Sequence, residues 1–205
     1  MKSKTITFQN KNKEKLKGKI ELPVDQHAHS FALFAHCFTC SKNLKAVKNI
    51  SKALTREGFG VLRFDFTGLG QSDGEFEDTN FSHNVSDLID AAEYLKENYQ
   101  SPSLLIGHSL GGAAVIQAAS MLDDVKALAT VGSPYEPKHV QKMLKDDLES
   151  IQKNGVAKVD LGGREFTIKK QFLDDLENQT NAEIVKNLKK PFLIMHSPQD
   201  DTVSI

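Results

Sequence analysis

The chain has 205 residues with 39% apolar and 26% charged side chains, the composition of one ordinary globular domain rather than of a disordered or fibrous chain. Its 26 Lys and Arg against 27 Asp and Glu leave a formal charge of -1, so nothing in the charge balance points to nucleic acid or an anionic membrane as partner. No run approaches the roughly 20 apolar residues of a membrane helix, Met1–Lys19 lacks the apolar block of a secretory signal, and two cysteines make no disulfide framework; a cytoplasmic protein is expected.

Thr5–Phe8 and Leu16–Leu22 alternate apolar and polar residues on either side of the polar segment Gln9–Lys15, which predicts an antiparallel hairpin ended by Pro23. Ser30–Phe34 predicts a strand buried on both faces, followed by a helix over Asn43–Glu57 with Leu44, Val47, Ile50, Ser51 and Leu54 on one side and Gly58 as its stop. Gly60–Phe64 is the next strand, Phe81–Asn98 a helix with Val85, Leu88, Ile89, Ala92 and Leu95 at core spacing, and Ser103–Ile106 a strand after Pro102. A helix over Gly111–Leu122 leads to the strand Lys126–Val131, and Pro191–Met195 is the last strand. This alternation predicts an α/β fold, a mainly parallel central sheet flanked by helices.

Residues 135–187 break the pattern. They are polar, helical at both ends, and carry a hairpin signal in Val156–Leu161, Gly162-Gly163 and Arg164–Ile168, which predicts a small insertion over one end of the sheet. Phe166, Ile168, Phe172, Leu173 and Leu176 give it an apolar face, suited either to a lid over a pocket or to simple packing on the sheet. No repeat or linker divides the chain, so residues 1–205 are read as one domain.

Gly107-His108-Ser109-Leu110-Gly111 follows an apolar strand and opens a small-residue helix, the context in which a G-x-S-x-G sequence forms a nucleophile elbow. A strand turning sharply into a helix puts the serine in a strained conformation clear of the sheet, and the flanking glycines relieve the crowding. The helix N-terminus presents free N–H groups to an oxyanion, with Leu110 the natural first donor. The bland reading is a serine N-cap. A second donor is expected from the loop His36-Cys37-Phe38-Thr39 after the first parallel strand, with the Phe38 N–H as candidate.

At these residues the chain resembles an α/β-hydrolase. His36-Cys37-Phe38 stands where that family usually has His-Gly-x, and Asp65-Phe66-Thr67-Gly68-Leu69-Gly70-Gln71-Ser72 resembles its Asp-x-x-Gly-x-Gly-x-Ser loop. His196-Ser197-Pro198-Gln199-Asp200-Asp201 resembles its acid loop, which implies Asp200 as the orienting acid and Asp201 as a solvated neighbour. In this fold the base is a histidine beyond the acid. None of the seven histidines occupies that place: His36 and His196 flank strand ends as loop-orienting residues, His108 lies inside the elbow, and His27, His29, His83 and His139 read as surface or loop residues. The chain is therefore expected to be C-terminally truncated, with its base beyond Ile205, with impaired catalysis, and with an exposed sheet edge at Pro191–Met195 open to self-association.

Cys37 and Cys40 have C-x-x-C spacing, but no second pair offers a zinc site and no helix follows directly, so two free thiols beside the site are expected, with neither metal nor cofactor. The stretch from His36 to Asn43 also resembles the hydrolase half of bacterial proteins in which an α/β-hydrolase is fused to a C-terminal OsmC-like domain, which implies such a domain as a partner. The expected function is that of a serine hydrolase cleaving an ester, thioester or amide of a small acyl substrate through an acyl-enzyme on Ser109. The alternative is a non-catalytic binding or assembly module on the same fold.

Overall fold

In the computed structural model, which describes residues 1–204, β1 (Lys2–Gln9) and β2 (Lys15–Leu22) form the N-terminal hairpin, with Phe8 opposite Leu16 and Lys2 opposite Leu22. Strand β1 begins earlier than the alternation suggests, because the backbone of its exposed first residues still pairs with β2. The chain continues through β3 (Ser30–Ala35), α1 (Lys45–Arg56), β4 (Phe59–Phe64), α2 (Phe81–Asn98), β5 (Pro102–His108), α3 (Leu110–Met121) and β6 (Ala127–Val131). After it come a 3-10 helix (Pro137–Leu144), α4 (Leu148–Asn154), the hairpin β7 (Val156–Asp160) and β8 (Glu165–Lys169), α5 (Lys170–Glu177), α6 (Ala182–Asn187) and β9 (Phe192–Met195). The central sheet has the order β1-β2-β4-β3-β5-β6-β9, and from β4 to β9 all neighbours are parallel.

Each central strand feeds two separate apolar layers, as its period of two requires. Leu33, Ala35, Leu62, Phe64, Leu105 and Leu128 point to the side of α2 and α3, whereas Ala32, Phe34, Val61, Ile106 and Ala129 point to the side of α1, where Val47 meets them. Helix α1 packs on β4 and β2. Beyond it, Ile50, Leu54, Leu104, Leu193 and Met195 border an open apolar groove of about 640 Å³, and Leu193 and Ile194 of β9 are 58% and 64% exposed. This is the exposed edge that the sequence predicted. Among the described residues no helix is long and apolar enough to cross a membrane.

The insertion packs rather than hangs. Val140, Leu144, Ile151, Val159, Ile168, Phe172, Leu173 and Leu176 join the buried cluster under α2 and α3, so its apolar face is part of the core. Its first helical segment is 3-10 rather than α, opened by Pro137, whose ring presets the first turn.

Helix α3 starts at Leu110, one residue earlier than expected, and its first ten residues are all buried. Glycine makes this possible. A Cβ at Gly111 would lie 2.3 Å from the His36 carbonyl oxygen and 2.7 Å from that of Ala35, and one at Gly107 would lie 2.4 Å from the Gly111 carbonyl oxygen. Bare backbone thus lets the helix N-terminus sit against the end of β3. Gly111→Ala would gain about 1 kcal/mol of intrinsic helix propensity, but the obstacle is backbone that cannot rotate away, and overpacking of this kind costs about 1–3 kcal/mol or more. A net loss of up to about 2 kcal/mol is expected, read as a lowered urea midpoint at unchanged slope.

Candidate active site

Ser109 sits between β5 and α3 with φ 53° and ψ -128°, a conformation that side chains other than glycine rarely adopt. Two backbone hydrogen bonds hold it there: the Ser109 N–H donates to the Val131 carbonyl at 3.0 Å, and the Ser109 carbonyl accepts from the Gly112 N–H at 2.8 Å. Such strain costs of order 1–3 kcal/mol and persists where the surroundings over-determine it, as the glycine-lined approach of α3 does here. The Leu110 N–H lies in the first turn of α3 and has no acceptor among the described residues, nor has the Phe38 N–H. Both residues line the pocket that holds Ser109.

The loop bearing Phe38 is fixed from both ends. On one side His36 is buried, with Nδ1 2.8 Å from the Cys37 carbonyl and Nε2 accepting from the Phe66 N–H at 3.4 Å. This arrangement requires the neutral ring, and burial, as the largest cause, holds its pKa down at about 4. On the other side Lys42 is buried against Asp65: its N–H donates to Asp65 Oδ1 at 2.7 Å, and its ammonium pairs with Oδ2 and reaches Gln71 Oε1 at 3.1 Å. Arg63, itself paired with Glu21 at 2.9 Å, donates to the Lys42 carbonyl. The Phe38 ring stacks on Phe172 of the insertion at 5.0 Å and lies 5.4 Å from Phe76.

The expectation of two free thiols is overturned: Cys37 and Cys40 form a disulfide, with Cα atoms 5.2 Å apart. The tight turn closed by the Cys40 N–H on the Cys37 carbonyl brings them to bridging distance, which spacing alone does not reveal.

Asp200 lies on the loop after β9. Its Oδ1 accepts from the Val203 N–H at 2.8 Å and the Thr202 N–H at 3.0 Å, and these two donors hold the carboxyl below its usual range. Its Oδ2 is 3.7 Å from His196 Nε2. Asp201 is exposed. Cys37, Phe38, His108, Ser109, Leu110, Gly132 and Asp200 line one pocket of about 250 Å³. The site residues expected from sequence are thus brought together, except that Gly107 and Gly111 act behind the pocket as packing surfaces. Pro134, His139, Val140, Met143, Thr202 and Val203 complete the lining. His139 was expected on an unrelated surface loop; the 3-10 helix carries it to the pocket, where its Nε2 is 3.1 Å from the Thr202 carbonyl. No periodic signal marks such a short helix, and the sequence offered no cue for His139. His108 borders the pocket too, with a pKa lowered mainly by burial and opposed by Asp200.

A parallel sheet extended by an antiparallel hairpin, with a strained serine between strand and helix and a carboxylate after a later strand, defines an α/β-hydrolase. The family described as serine aminopeptidase, S33 matches residues 33–159, and the chain belongs to that family. An esterase domain of a Rhodothermus marinus protein is 49% identical, with a TM-score of 0.78, over all of this chain and 80% of that one. The Est1E structure from Butyrivibrio proteoclasticus with ferulic acid bound shares the fold at 23% identity, with a TM-score of 0.79 over 97% of this chain and 81% of that one. Among curated proteins, the mitochondrial palmitoyl-protein thioesterase ABHD10 of Bos taurus is 33% identical over 87 residues, which is 42% of this chain and 26% of that protein. The match thus spans about a quarter of that relative's length.

The burial of His36 sets a pH dependence. Between its folded pKa of about 4 and its unfolded value of 6.5 the unfolded chain binds a proton that the native one refuses, so stability rises with pH across this window and is lost as pH falls through it. The contribution is on the order of 3 kcal/mol. Urea unfolding at pH 7 and pH 4.5 should show the wild type losing markedly more stability on acidification than His36→Asn.

Proposed function

We propose that the protein is a serine hydrolase that cleaves an ester or thioester of a small acyl group through an acyl-enzyme on Ser109. The Ser109 Oγ attacks the carbonyl carbon, and the Leu110 and Phe38 N–H groups receive the charge on the carbonyl oxygen. A histidine takes the hydroxyl proton and returns it to the leaving group, oriented by Asp200, and water then releases the acid by the same steps. The single observation that carries this reading is the strained Ser109 beside two free N–H donors in one pocket. The kinship with the Rhodothermus marinus esterase domain favours an ester or thioester over an amide. Phe38, Leu110, Pro134, Val140 and Met143 give the pocket apolar walls, and its volume suits a short chain.

Of the histidines near the pocket, His36 bonds with Cys37 and Phe66, His139 with the Thr202 carbonyl and His196 with the Val203 carbonyl at 2.7 Å, while His108, whose Nδ1 is buried without a partner, lies inside the elbow itself, directly before Ser109. We therefore propose a proton acceptor that is none of these histidines. The same observation favours the competing reading, a binding module without catalysis, and one experiment separates them. In protein that carries that base, a fluorophosphonate probe should label Ser109, and a short-chain p-nitrophenyl ester should be turned over. Ser109→Ala should lose both, and Asp200→Asn should lower kcat by about 10³–10⁴. Absence of labelling under conditions where a control esterase reacts would establish the binding module instead.

A further inference from the structure

We infer that the Cys37–Cys40 disulfide is a redox-modification site that sets the position of the Phe38 N–H, so that its reduction slows acyl transfer. The effect on catalysis rests on the proposed role of Phe38 as oxyanion donor. The disulfide closes a ring around only two residues, Phe38 and Thr39, and both line the pocket. The anchoring side chains come from outside that ring, the His36 ring, which holds the Cys37 carbonyl, on one side and the Lys42–Asp65 pair on the other. Inside it, the hydrogen bonds to the backbone both fall on the Cys37 carbonyl, from the Cys40 N–H at 3.2 Å and from His36 Nδ1 at 2.8 Å. Two bonded sulfurs sit closer than two thiols can, so opening the bond drives residues 37 and 40 apart and carries the intervening peptide with them. The Phe38 ring stays stacked on Phe172, and the movement falls on the backbone between Cys37 and Cys40, which carries the Phe38 N–H.

Both cysteines are half-exposed, and Cys37 lies at the pocket wall, so an external dithiol can reach them. One thiolate of the dithiol attacks a protein Sγ, the S–S bond breaks, and its electron pair leaves on the other Sγ, which takes a proton from water. The second thiol of the reagent then displaces the first protein sulfur, which is protonated in turn. The protein gains two electrons and two protons, and the dithiol becomes a cyclic disulfide.

The test uses oxidised, dithiothreitol-reduced and re-oxidised protein, together with the Cys37→Ser/Cys40→Ser double variant. Alkylation should modify neither cysteine before reduction and both after it. Reduction should raise hydrogen exchange of the amides from 37 to 40 and lower kcat on a short-chain p-nitrophenyl ester about tenfold, since complete loss of one oxyanion donor costs about 10²–10³. KM should change less than kcat, re-oxidation should restore both readings, and the double variant should behave as the reduced protein and ignore dithiothreitol. Cysteines alkylated without reductant, or exchange and kcat unaltered between redox states, would overturn the inference. Absence of turnover in every state, with exchange still responding to reduction, would remove the hydrolase reading while leaving the redox control of the loop standing.

Discussion

The carbonyl oxygens of Ala35 and His36 occupy the space where a side chain at position 111 would stand, and the pocket depends on that near-contact of two backbones. It brings the N-terminus of α3 against the loop that follows β3, so residues from two distant parts of the sequence line one pocket. It also leaves Ser109 no room to relax into the helix. The strain at the serine and the proximity of the donors are therefore consequences of one packing decision, made by Gly107 and Gly111.

Buried charge secures the other end of the loop that bears Phe38. Lys42, Asp65, Arg63 and Glu21 are almost wholly buried, and their bonds link β2, β4 and the loops after β3 and β4. Opening such a pair from one side costs about 3–5 kcal/mol because a naked charge is left behind, whereas the intact pair adds little net stability over an apolar substitute. What the network contributes is definition: it allows one position for the Lys42 backbone, two residues beyond the disulfide.

The elements that follow simple periodicity were legible in the sequence, and so was the elbow, because G-x-S-x-G between an apolar strand and a small-residue helix leaves few alternatives. Asp200 was reached through the resemblance of His196–Asp201 to the acid loop of α/β-hydrolases. The partnership of Lys42 with Asp65 was not legible, since 23 residues separate them and nothing local requires it. Nor was the disulfide, because C-x-x-C spacing fits thiols as well as a bond, and the decision lies in the turn between them. The arrival of His139 at the pocket depends on how a short 3-10 helix packs, a tertiary property with no sequence period.

The placement of β9 divides the site into two parts of unequal permanence. Ser109 follows β5, which is paired on both sides by β3 and β6, whereas Asp200 follows a four-residue strand bonded among the described residues to β6 alone. Opening of the last strand by local fluctuation breaks few backbone bonds and exposes little that is not already wet, so it belongs to the low-energy end of native-state excursions. Ser109 and Asp200 thus follow strands of unequal backbone support among the described residues.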